Sequence, residues 1–98
     1  ISNPGASVLA NFLLGNLNIT DAAKEKLHRM PLDLIARHAV NDYGRVTPVE
    51  NRANLKSMKE CGRIVSRYQV DPTDKSAGYV LVITSESWDS TIVQLESE

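Results

Sequence analysis

The strongest constraint on this chain is a change of hydrophobic period at Gly62. Before it, Thr47, Pro48 and Glu50 stand as the N-cap, N1 proline and N3 acid of a capping box, so a helix opens at Thr47 and is expected to close at Gly62. After it the pattern is β: residues 63–70, a turn over 71–78, residues 79–84, a short loop through Trp88, then residues 91–95. Three antiparallel strands in a meander follow. Residues 79–83 are apolar on both sides and are expected to be central, whereas the last run carries Gln94 and Glu96 and reads as an edge. The Pro, Ser, Lys and Gly content of residues 71–78 marks them as the expected mobile loop.

Upstream of the capping box the signals are helical, with one exception. Residues 9–18 have the apolar, turn-poor character of a strand, with Gly15 as a bulge and a short helix as the alternative. Thr20 offers an N-cap and Asp21 suits the positive helix end, so a helix runs from there to about Met30. Pro31 opens the next helix at its first position, and Asp33 adds an acid to that first turn. Leu32, Ile35, Ala39 and Tyr43 fall three, four and four residues apart, which predicts a core-facing stripe on a helix ending at Gly44. On the capping-box helix, Leu55 and Met58 are expected to face the core.

At 98 residues the chain is one domain's worth, with 42% apolar and 23% charged residues, the balance of an ordinary globular protein. The expected fold is therefore α+β: three helices on one face of an antiparallel sheet of three to four strands, with residues 1–8 a flexible leader and residues 9–98 a single domain. A formal charge of −1 gives no global drive toward polyanions. Cys61 is the only cysteine, so neither an intrachain disulfide nor a cysteine metal cluster can form, and a cytoplasmic setting is expected. The apolar run over residues 8–17 is too short and too interrupted for a membrane helix, so no membrane partner is expected.

No phosphate loop, metal-ligand spacing or nucleophile signature is present, so no catalytic residue, metal or cofactor is assigned. His38 and Asp42 stand four apart on the expected helix and would face each other, a pair able to tune a general base. A histidine held by a carboxylate or a loop backbone explains the same spacing with no chemistry. His28 reads as an exposed residue at a helix C-terminus. Arg52, Lys56, Lys59 and Arg63 recur at intervals of four, three and four, a basic stripe that would track phosphates if Tyr43, Tyr68, Tyr79 and Trp88 supplied stacking faces beside it. Trp88, in a polar loop, reads as a lid on the core or an anchor for a partner. Cys61 reads as a small buried apolar residue.

One block also carries a resemblance. Arg37, His38, Asp42, Tyr43, Gly44, Arg52, Ala53, Asn54, Gly62, Arg63, Ile64, Ser66 and Tyr68 stand in the order and spacing of a family of small bacterial proteins carried by plasmids and genomic islands, catalogued as plasmid-related proteins. The likeness is ungapped over residues 35–68, with a weaker echo in Ile83, Thr84, Ser90 and Thr91. Tyr43 stands where the family usually has Trp, and Ser87 and Trp88 replace acidic and Arg positions of its late loop. The resemblance implies an accessory protein of mobile DNA.

These observations lead to a non-enzymatic binding or protein-interaction module, holding a protein or small ligand through Arg37, His38, Asp42, Asn54, Arg63 and Trp88. The alternatives are nucleic-acid binding along Arg52, Lys56, Lys59 and Arg63, and a small enzyme using His38. Self-pairing through the last strand, with Ile92 and Gln94 alternating, is the expected route to a homodimer.

Overall fold

The computed structural model describes residues 10–98. The elements are β1 (Asn16–Ile19), α1 (Asp21–Leu27), α2 (Leu32–Ala39), α3 (Pro48–Glu60), β2 (Ile64–Asp71), β3 (Asp74–Thr84), a single 3-10 turn (Glu86–Trp88) and β4 (Ser90–Leu95). They form the expected α+β architecture, with a four-stranded sheet in the order β1-β4-β3-β2. β2, β3 and β4 are the antiparallel meander, and β1 joins β4 in parallel.

Strand alternation sets the core. Ile64, Ser66 and Tyr68 on β2, Val80, Val82 and Thr84 on β3, and Thr91 and Val93 on β4 are all buried and share one face of the sheet. Ala23 of α1 and Leu34 and Ile35 of α2 close over Tyr68, Val80, Val82 and Val93. A second, smaller cluster joins Phe12, Tyr43 and Ile64, with Met58 and Trp88 against it.

Several expectations are corrected. Of the expected strand only its end, from Asn16, is extended and paired, as the start of β1, because Gly15 takes a left-handed φ of 64° where a Cβ would collide with the Asp89 carbonyl. The stretch before it is a loop that drops Phe12 into the second cluster; residue 9 and the expected leader over residues 1–8 lie outside the described residues. The 71–78 loop is a hairpin: β2 and β3 continue to the Asp71–Asp74 pair around a turn at Pro72 and Thr73, and Asp71 accepts from the backbone and hydroxyl of Thr73. β4 is interior rather than an edge, since β1 occupies its other side. That closes the expected pairing of two copies through Ile92 and Gln94.

Helix ends differ in the same way. α1 keeps its Thr20 cap but stops at Leu27, where His28 turns left-handed and exposed. α2 stops at Ala39 rather than Gly44, because the Val40 and Asn41 amides fold back onto Arg37 and His38 and Asn41 is left-handed. Its buried face is Leu34, Ile35, His38 and Ala39; Leu32 is 62% exposed, and Tyr43 reaches the core from a loop. α3 has the full capping box at Thr47 and Glu50, and Cys61 rather than Gly62 is its left-handed cap. Cys61 is exposed, not buried. Leu55, expected in the core, is 57% exposed, whereas Asn54 is buried.

Asn54 explains how a polar helix packs at all. Its amide nitrogen donates to the Val65 carbonyl at 2.9 Å and its oxygen accepts from the Val65 amide at 3.0 Å. The side chain thus pairs with the outer edge of β2 as a peptide group would. Two residues on, the Arg67 amide donates to the Tyr43 carbonyl and the Arg67 carbonyl accepts from the Arg45 amide. Between them these contacts occupy the outward groups of Val65 and Arg67, so the first half of this edge strand is not free to template aggregation.

Candidate functional site

The candidate residues do not converge. His38 is fully buried under the helix layer, where Nδ1 lies 2.6 Å from Ser66 Oγ and Nε2 lies 2.8 Å from Thr84 Oγ1. Thr84 Oγ1 meets Thr91 Oγ1 at 2.7 Å, and Thr91 donates to the Leu14 carbonyl at 2.7 Å. Proton counting assigns the tautomer. Thr91 has spent its proton on Leu14, so Thr84 donates to Thr91, Nε2–H donates to Thr84, and Nδ1 accepts from Ser66. The imidazole is neutral, and burial pushes its pKa down to about 4. Phe12 packs edge-on against the ring at 5.2 Å. Both nitrogens are committed and no solvent reaches them, which is the geometry of a core strut.

The expected His38–Asp42 pair is absent because α2 ends before Asp42. Arg37 takes the carboxylate instead, Nε to Oδ2 at 2.8 Å and Nη2 to Oδ1 at 3.3 Å. Asn54 is buried in its clamp on β2, and Arg63 is exposed just beyond the end of α3. Trp88 is half-buried, with its ring 5.5 Å from Phe12 and its indole N–H donating to the Gly62 carbonyl at 3.0 Å, so it packs as a lid, one of its two expected roles. The stacking platform beside α3 does not form: Tyr43 and Tyr68 are buried, and Tyr79 lies on the opposite sheet face with the Arg67 guanidinium 3.6 Å above it.

What the fold does assemble is a cleft of about 220 Å³ between the start of α2 and the end of β2. Arg29, Arg37 and Arg45 line it with Asp33, Tyr68 and Gln69. The segment 42–45 makes it. The Tyr68 hydroxyl donates to the Asp42 carbonyl at 2.5 Å, Gly44 bridges to Arg67, and the Arg45 amide bonds Arg67 at 2.6 Å, so the chain is laid along β2. Gly44 adopts φ 70°, and a Cβ there would strike the Arg67 carbonyl and the Tyr68 ring. Gly44→Ala is expected to cost about 2 kcal/mol or more in unfolding free energy, from the left-handed backbone and the clash together. Urea denaturation measures this, and a wild-type midpoint would refute it.

The cleft's electrostatics follow from its ion pairs. The Arg37 guanidinium sits 4.6 Å from the Tyr68 ring centroid and is held there by Asp42. The hydrogen bond from Arg37 draws the Asp42 carboxyl below its usual range, and the same bond raises Arg37. Burial pushes Asp33 up, but its hydrogen bond and charge contact with Arg29 more than offset this, leaving it lowered. Burial pushes the Tyr68 phenol up to about 12, so it stays a neutral donor. Arg45 has no carboxylate partner among the described residues. With Asp42 counted beside the lining, three arginines against two aspartates leave the cleft a net positive charge.

Neither Arg29 nor Arg45 stands in a motif or a helical stripe, so the sequence carries no signal for them beyond their charge. No local pattern could find this site, since it draws on the α1–α2 link, α2, the 42–45 segment and the β2 hairpin. Among the described residues no three His, Cys, Asp or Glu side chains are placed to hold a metal, and no helix is long and apolar enough to cross a membrane. Compared with known families, characterised proteins and solved structures, the chain finds no match.

Proposed function

We infer that this protein is a non-enzymatic binding module that holds a small anionic group in the cleft between α2 and β2. The observation carrying this is the gathering of Arg29, Arg37 and Arg45 around one concavity, with Arg45 unpaired among the described residues. Arg37 is pre-organised by Asp42 and Tyr68, so little side-chain entropy is lost when an anion docks. The enclosure of His38 supports binding over catalysis, because the only strongly shifted imidazole has no route to a substrate. The expected role for His38 and Asn54 in ligand contact passes to Arg37, Asp42 and Arg45. On the resemblance over residues 35–68, the module would serve as an accessory protein of mobile DNA.

The test is thermal unfolding in phosphate, sulfate and citrate at constant ionic strength. An anion at ten times its Kd adds about 1.4 kcal/mol, a rise of roughly 6–11 °C for a domain of this size. Arg45→Ala removes an exposed cation and no hydrogen-bonded side chain, so it is expected to keep the fold and lose most of that rise. Equal shifts in the two proteins, or none in either, would defeat the reading.

A further inference from the structure

The exposed face of α3 is a second feature, independent of the cleft. Asn54 is the only buried residue of α3, and its two hydrogen bonds to Val65 set the rotation of the helix about its axis. At 3.6 residues per turn, Arg52, Lys56 and Lys59 then fall within an arc of about 60°, roughly opposite Asn54. All three are exposed, as is Arg63 just beyond the helix. None belongs to an ion pair: the three in the described residues are Arg29–Asp33, Arg37–Asp42 and Arg67–Glu96.

The acids nearby are few. Glu50 is engaged in the capping box, and Glu60 and Glu86 share a shallow depression with Lys56 and Arg63. Residues 48–63 carry four cations against Glu50 and Glu60, a formal +2, which leaves −3 on the rest of a chain of net charge −1. The α3 segment thus carries a local excess of positive charge within a chain of net negative charge, which favours approach of a polyanion to this face.

We propose that the α3 face of Arg52, Lys56, Lys59 and Arg63 binds the phosphate backbone of duplex nucleic acid without sequence preference. Successive cations along the helix are separated by about 6 Å and 4.5 Å of axial rise, comparable to the distance between neighbouring phosphates. A duplex is favoured over a single strand because no aromatic face is free beside the stripe. Trp88 packs on Phe12, Tyr43 and Tyr68 are buried, and Tyr79 is covered by Arg67 on the other side of the sheet. Contacts to phosphate alone carry no base readout.

The experiment is fluorescence anisotropy of a labelled 20-base-pair DNA of random sequence, titrated with the protein from 20 to 100 mM salt. Four phosphate contacts predict a log–log slope near about −3.6, an affinity loss of about 300-fold across that range. Arg52→Gln/Lys56→Gln is expected to melt as the wild type does and to halve the slope, to an affinity loss of about 20-fold. No binding at 20 mM salt, or an unchanged slope in the double variant, would overturn the proposal. Tighter binding of the same-length single strand, or equal binding of polyglutamate, would assign the face to a different partner and also overturn it.

Discussion

Asn54→Leu is expected to lower the unfolding free energy by about 3–5 kcal/mol, a large effect for a residue on a polar helix. The substitution keeps the branched heavy-atom skeleton and raises helix propensity, but leaves the Val65 amide and carbonyl without partners. Each backbone group stranded in this way costs about 1–3 kcal/mol, and α3 loses its main anchor on the sheet. Asn54→Asp should be at least as damaging, since a carboxylate accepts from the Val65 amide but repels its carbonyl from a buried position. Hydrogen exchange adds a local readout. The Val65 amide should lose protection in Asn54→Leu, which leaves it no acceptor, while amides in the β3–β4 ladder lose only what the global destabilisation predicts. An Asn54→Leu protein with wild-type stability and an equally protected Val65 would show that the clamp does not hold α3.

Acid should destabilise the protein through His38. Its pKa falls from 6.5 in the unfolded chain to about 4 in the fold, because burial disfavours the charged ring. The unfolded state therefore binds a proton below pH 6.5 that the native state refuses. The stability contributed is fully present above pH 6.5 and is lost as the pH falls toward 4, by about 3 kcal/mol in all. Asp42 and Glu96, both lowered by arginine partners, lose their smaller and partly screened contributions at still lower pH. His38→Gln can bridge Ser66 and Thr84 without titrating, so its stability should be nearly flat where the wild type declines. Parallel curves for the two proteins between pH 6.5 and 4 would rule out His38 as the group responsible.

The buried polar chain that His38 anchors was only half legible in the sequence. Ser66, Thr84 and Thr91 stand at inward positions of their strands, where alternation calls for apolar residues, and that mismatch is a readable sign of an internal network. Their common partner was not readable. Four-residue spacing pointed His38 at Asp42, and only the early end of α2 released the carboxylate to Arg37. The stripe on α3 shows the reverse: Arg52, Lys56, Lys59 and Arg63 were visible from spacing alone and all four are exposed. Which way the stripe pointed was settled by a hydrogen bond from Asn54, not by the apolar Leu55 that spacing had favoured.

Local chemistry in this chain therefore decides what local chemistry can: the Thr20 and Thr47 caps, the Pro48 helix start, the β meander and the α+β class all follow from neighbours within a few residues. Pairing between distant segments decides the rest. β1 lies beside β4 across more than seventy residues, turning an expected edge into an interior strand, and the cleft gathers Arg29, Arg37 and Arg45 with a hairpin some thirty residues away. Hydrophobic period records which face of an element is buried, but not which element buries it. Strand order and the company of each arginine were settled only when the backbone groups of Val65, Arg67 and Val93 found their partners.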